Sequence, residues 1–121
     1  MPHLYEIITW YALPAIRKEI SYILKKKKFR VTEISHLLDI TPAAVSQYLY
    51  SKRKGMELPE EVKSFIKKVL KSKKRDEISK KDIDKLINDS IKILIENRHL
   101  CDFCVEAGYV MNDEFCDKCY R

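Results

Sequence analysis

Four cysteines fall in the last 21 residues of this 121-residue chain, spaced as Cys101-x2-Cys104-x11-Cys116-x2-Cys119. Two residues between thiols let both sulfurs of a pair turn onto one ion, with backbone N–H groups left to bond them. Two such pairs across a hairpin make a tetrahedral, all-thiolate site. Zn²⁺ is the expected ion. An iron–sulfur cluster is the alternative, since four thiolates also hold one. A pair of disulfides is a third arrangement, tolerated in some hyperthermophile cytosols. Gly108 and Asn112-Asp113 supply turn residues between the pairs. The loop is shorter than the usual spacing of roughly 15–20 residues, which suits a small two-knuckle ribbon. With sulfur at every position no place remains for a water, so hydrolytic chemistry is not expected there. His99 adjoins the set but is not needed as a ligand. So short a segment cannot bury a core, and the metal would supply most of its folding free energy. It is either a rigid clasp or a sensor of metal or redox state.

The second constellation is TEISHLLDITPAAVSQYLY, residues 32–50. Thr32 can cap a short helix over 33–38, Asp39 and Ile40 form a turn, and Thr41 caps again. Pro42 takes the first position of the next helix, which runs to about Tyr50. Two short helices joined by three residues cross steeply. Ile34, Leu38, Ile40, Val45, Tyr48 and Leu49 supply the inner contacts, and Ser35 is small where the helices approach. The outward side then carries Ala43, Ala44, Ser46, Gln47 and Tyr50. A DNA major groove suits that set. Alanines permit close approach and can touch a thymine methyl, and Gln47 can bond adenine N6 and N7. Thr41, Ser46 and the first backbone N–H groups can hold phosphates at the helix N-terminus. Ser51, Lys52 and Arg53, with Lys54, follow where a chain leaving the groove meets the backbone. Each phosphate neutralised adds about 0.9 to the slope of log K against log salt. A second basic run, Lys25–Lys28 with Arg30, is equally consistent with a solvated helix end.

These residues carry a resemblance. TEISHLLDITPAAVSQYLYSKRKG resembles the helix-turn-helix of the lambda-repressor-like (xenobiotic-response-element, XRE) transcriptional regulators. With LPAIRKEI before it, the match is to the small archaeal regulators of that class. It covers about residues 14–70 and rests on the Ile-Thr-Pro-x-x-Val-Ser-x-Tyr-Leu pattern and Gly55. The resemblance implies a compact bundle of about five helices, the second of the pair reading DNA. Asp39 departs from it, standing where the family usually has Gly, but Asp tolerates a positive φ better than most residues.

The elements that must position these groups are helical. Hydrophobic residues make up 45%, with only two glycines and four prolines. Pro14 sets a boundary after the apolar LYEIITWYAL and opens a helix, PAIRKEISYILKKKKF, that buries Ile16, Ile20, Ile23 and Leu24. Pro59 with Glu60 and Glu61 starts another, with Val62, Phe65, Ile66, Val69 and Leu70 inward. Ser79 and Asp82 read as a capping box for a long helix over about 80–97. Its stripe of Ile83, Leu86, Ile87, Ile91 and Leu94, widened by Ile93 and Ile95, is broad for one small domain. We therefore expect it to join two copies as a homodimer, with Ile7, Ile8, Trp10 and Tyr11 as candidate further contacts, although Trp10 and Tyr11 taken alone read rather as intrachain core. Paired half-sites on double-stranded DNA lie about 34 Å apart.

From Met1 to Arg75 there are 17 Lys and Arg against 7 Asp and Glu, and beyond Arg75 there are 7 against 11. A basic front and acidic rear fit a polyanionic partner at the front. No apolar run approaches the roughly 18 residues needed to cross a membrane, and the N-terminus does not read as a signal peptide. A cytoplasmic protein is expected. No nucleophile–base set or phosphate-cradling glycine loop is present, so an enzyme is not. The expected fold class is all-α. A lambda-repressor-like helix-turn-helix bundle fills residues 1–75, a long dimerisation helix 76–98 and a four-cysteine metal-binding tail 99–121. The expected function is sequence-specific, dimeric, non-enzymatic DNA-binding regulation of transcription. One alternative is a redox- or metal-sensing regulator with an iron–sulfur cluster. Another is a zinc interaction module associated with nucleic acid without sequence preference. The sequence names no small-molecule effector.

Overall fold

The computed structural model describes residues 3–50 and 56–108, and among these the chain is helical with no strand. Ser51, Lys52, Arg53, Cys116 and Cys119, and the Asn112-Asp113 turn, lie outside the described residues. The elements are α1 (Leu4–Ile7), a wide π-turn (Ile8–Ala12), α2 (Leu13–Lys26), α3 (Val31–Leu38), α4 (Pro42–Tyr50), α5 (Glu60–Lys71), a 3-10 turn (Arg75–Glu77), α6 (Lys80–Glu96) and α7 (His99–Glu106).

Pro14 does not start a new helix. The run is continuous from α1 through the π-turn into α2, with the Leu13 N–H donating to the Ile8 carbonyl. A proline inside a helix lacks a donor and crowds the carbonyl four residues back. Widening the turn just before it relieves both problems, a common use of π-bulges.

With glycine scarce, polar residues close the helices. Lys28 (φ 72°) and Asp39 (φ 56°) take the left-handed conformation after α2 and α3. In each case the next residue reaches back across the turn. Phe29 N–H donates to the Leu24 carbonyl and Ile40 N–H to the Ser35 carbonyl, both at 3.1 Å. These are Schellman closures. Asp39 thus keeps the expected turn despite lacking the glycine.

The α3 start differs by two residues from expectation: Arg30, not Thr32, precedes the helix, and Glu33 accepts from the Arg30 N–H at 2.9 Å. That bond, with Arg75 adding its charge, holds the Glu33 carboxyl below the ordinary Glu range. At α6 the expected capping box is present, Ser79 N–H donating to Asp82 at 3.0 Å and Asp82 N–H to Ser79 Oγ at 3.2 Å. The Ser79 N–H lowers the Asp82 carboxyl in the same way.

One hydrophobic cluster runs from Ile7 to Cys104. Ile16, Ile20 and Leu24 of α2, Val62, Ile66 and Leu70 of α5, and Ile83, Leu86, Ile87 and Leu94 of α6 are all buried. Ile83, Leu86, Ile87 and Leu94 of the α6 stripe are buried, α6 packing on α2, α3, α5 and α7 of its own chain, while Ile91, Ile93 and Ile95 stay half-buried. Ile7 is likewise buried. No helix among the described residues is long and apolar enough to cross a membrane.

Candidate nucleic-acid interface and cysteine pair

Thr41 fixes where α4 begins. Its Oγ1 accepts from the Ala44 N–H at 3.1 Å and its carbonyl from the Val45 N–H at 3.2 Å. Such a cap contributes about 1 kcal/mol. Pro42 follows at the first helical position, where no donor is required. Val45, Tyr48 and Leu49 are buried, and α4 packs on α2 and α3. At its far end the Tyr22 hydroxyl donates to the Leu49 carbonyl at 3.3 Å, tying the helix to α2. Held at both ends and along one side, α4 has a fixed outer face.

Of the residues expected on that face, three are fully outside and two are partly covered. Thr41, Pro42, Ala43, Gln47 and Tyr50 are exposed, and Ala44 and Ser46 are half-buried. Ala43, Gln47 and Tyr50 stand at helical spacing on one side. Tyr50 keeps 72% of its surface accessible. Small and polar groups project beyond the bundle with an aromatic at the C-terminal end.

The basic residues divide. Lys25, Lys26 and Lys28 are exposed. Lys27, from the same run, donates from Nζ to the Lys73 carbonyl at 3.0 Å and so joins α2 to the chain after α5. Arg30 leans on Glu33, Nε to Oε1 3.6 Å. Arg75 bonds both Glu33 oxygens at 2.7 and 2.8 Å and lies over the Phe29 ring, 4.9 Å from its centroid. Lys27 and Arg75 thus hold the fold together, while Arg30, with 84% of its side chain accessible, stays on the surface.

The first cysteine pair lies on a helix. Cys101 and Cys104 are both buried on α7, and the expected knuckle turn is not its setting. Residues three apart on a helix share a face, so the two sulfurs emerge on one side. A buried thiol also packs as a small apolar group, and Cys104 belongs to the hydrophobic core. His99 faces elsewhere. Its Nε2 is 2.9 Å from Glu61 Oε2, and Asn97 Nδ2 donates to Glu61 Oε1 at 2.7 Å. Together they pin the α6–α7 corner to the start of α5. Tyr11 meets Phe103 with centroids 4.7 Å apart, and Gly108 (φ 79°) ends the element. No sequence signal except the apolar spacing of Leu100, Phe103 and Cys104 pointed to a helix here. The sequence also gave no notice of a cleft in which Arg17 of α2 meets the Asp84–Asn88 side of α6.

No protein-family model matches this chain, and neither does any curated protein or solved structure.

Proposed function

We propose that this chain is a non-enzymatic, sequence-specific DNA-binding regulator of the lambda-repressor-like helix-turn-helix kind, with α4 as the element that enters the major groove. The observation that carries the reading is the two-sidedness of α4. Val45, Tyr48 and Leu49 anchor it, while Ala43, Gln47 and Tyr50 stand clear of the bundle. Outward alanines contribute nothing to the core, yet they allow a helix to reach base edges. The α4 N-terminus, with Thr41 and Pro42, suits phosphate contact. Ser51, Lys52 and Arg53 continue that contact along the backbone.

One helix pair buries little surface on DNA, so binding as a homodimer to paired half-sites belongs to the reading. The half-buried Ile91, Ile93 and Ile95 of α6, and the exposed Tyr5 and Trp10, are the apolar groups left to meet a second copy. The four cysteines would hold Zn²⁺, with Cys101 and Cys104 contributed from α7 and Cys116 and Cys119 from the chain beyond. Zinc there would lock the C-terminal segment and leave no open position for catalysis.

Selection from a random duplex pool tests the reading. The expected result is enrichment of one short motif at about 0.15 M salt, a concentration at which screening weakens non-specific phosphate contacts. Uniform recovery would favour the non-specific zinc module.

A further inference from the structure

Two lysine runs far apart in the chain meet at one end of the bundle. The Lys27 Nζ, just past the end of α2, donates to the Lys73 carbonyl beyond α5 at 3.0 Å. Lys26 and Lys28 adjoin the donor, Lys71 and Lys74 stand close to the acceptor, and all four are exposed. Lys67 and Lys68 carry the same run one turn back along α5 and are exposed as well. Lys63 and Lys73 are neutralised by Glu57 and Asp82. Among the described residues the six exposed lysines form no ion pair, with Asp76 and Glu77 of the following turn or with any other acid.

The helix dipole favours cations in a last turn, which accounts for Lys26, Lys68 and Lys71 one helix at a time. It does not account for two such ends set side by side, where their charges repel. Lys67 and Lys71, four apart on α5, add to that repulsion. Like charge gathered in this way costs the compact state stability, and a polyanion laid across it removes the cost.

The side chains narrow the kind of polyanion. All six are lysines, point charges without the planar fork that fixes arginine on one phosphate or guanine. They suit a row of phosphates and carry no sequence information. Besides its lysines α5 exposes only Glu60, Glu61 and Ser64, so no apolar group stands ready to enter a lipid surface. Duplex DNA presents such a row, with about one negative charge per 1.7 Å. Helix α4 packs on α2 and α3, whereas α5 packs on α2 and α6, so this surface is separate from the α4 face.

We infer that the adjoining ends of α2 and α5 form a second DNA contact, made to the sugar–phosphate backbone alone. It rests on the reading above for its partner but does not require α4 to enter a groove.

Titration of the full chain with a short duplex of arbitrary sequence, at several salt concentrations, tests the contact. The triple variant Lys67→Gln, Lys68→Gln, Lys71→Gln is compared with Lys81→Gln, Lys85→Gln, Lys92→Gln, which removes the same charge from exposed positions on α6. The α5 variant should bind about tenfold or more weakly at about 0.05 M salt and lower the slope of log K against log salt by about 2. The α6 variant should do neither. Equal losses in both variants, no loss in the α5 variant, or no duplex binding by the parent chain would overturn the proposal. So would polyglutamate or phosphatidylserine vesicles that bind the parent chain as tightly as the duplex does. Failure of the α4 reading shows instead as a Gln47→Ala variant that keeps its preference among duplexes, with the effect of the α5 variant unchanged.

Discussion

Helices α4 and α6 both read in the sequence as amphipathic elements with a face left over for a partner, and they use that face differently. Most of the branched stripe of α6, with Ile83 and Leu94 fully buried, is covered by its own bundle, and Ile91, Ile93 and Ile95 are half-covered. Ala43, Gln47 and Tyr50 of α4 remain outside. The difference teaches which kind of surplus surface to trust. A broad apolar stripe gains about 25 cal/mol per Å² wherever it is covered, and α2, α3, α5 and α7 are already at hand to cover it. Alanine and glutamine gain little from the core, and Ala43 and Gln47 stay exposed.

The largest effect should come from truncating the α6 stripe. Leu94→Ala is expected to destabilise the fold by about 2–5 kcal/mol, read by chemical denaturation. A variant that keeps its unfolding midpoint but changes its sedimentation with concentration would return that stripe to a dimer interface. On the other helix, Gln47→Ala should leave stability alone. It should cost about 1–3 kcal/mol on the preferred duplex and relax preference at one base pair. Equal loss on every sequence would make α4 a positioning surface only.

Metal chemistry sharpens the comparison at α7. Protein purified without oxygen is expected to carry one zinc per chain and to be colourless, and its removal by a chelator should lower thermal stability. A brown or red protein would move the account to an iron–sulfur cluster.

Acid should act on the caps of α3 and α6. Glu33 and Asp82 are both held below their ordinary values by backbone N–H groups of Arg30 and Ser79. Each therefore contributes stability that is present above its unfolded pKa and lost as pH falls through its lower folded value. The fall should begin in the ordinary carboxylate range. Glu33→Gln and Asp82→Asn should flatten it, as read by melting temperature against pH. The smallest effect is at Lys28, whose left-handed backbone favours glycine. Lys28→Gly should stabilise by about 1 kcal/mol, and a loss would mean that the lysine side chain offsets the strain.

What could be read ahead of the structure was local. Thr41 with Pro42, Ser79 with Asp82, and Pro59 with two glutamates mark helix starts because a cap acts within four residues of itself. Asp39 could be assigned its turn from the types around it. What escaped was set by longer-range packing. Pro14 reads as a break unless one knows that the π-turn before it makes room. Lys27 reads as a free charge until Lys73, far along the chain, is brought to it. Arg17 and Asp84 sit in separate helices and become a cleft only when α2 and α6 pack. The Cys-x2-Cys spacing of α7 suits a metal turn and a helix face equally, so it does not mark the helix.

The most direct test of the account is to follow backbone amide signals by NMR while the preferred duplex is added. The prediction is that the largest shifts fall on Thr41 to Tyr50, with the buried α6 stripe unmoved. Shifts concentrated on the lysines of α5 or on α7, with Ala43 and Gln47 silent, would contradict it.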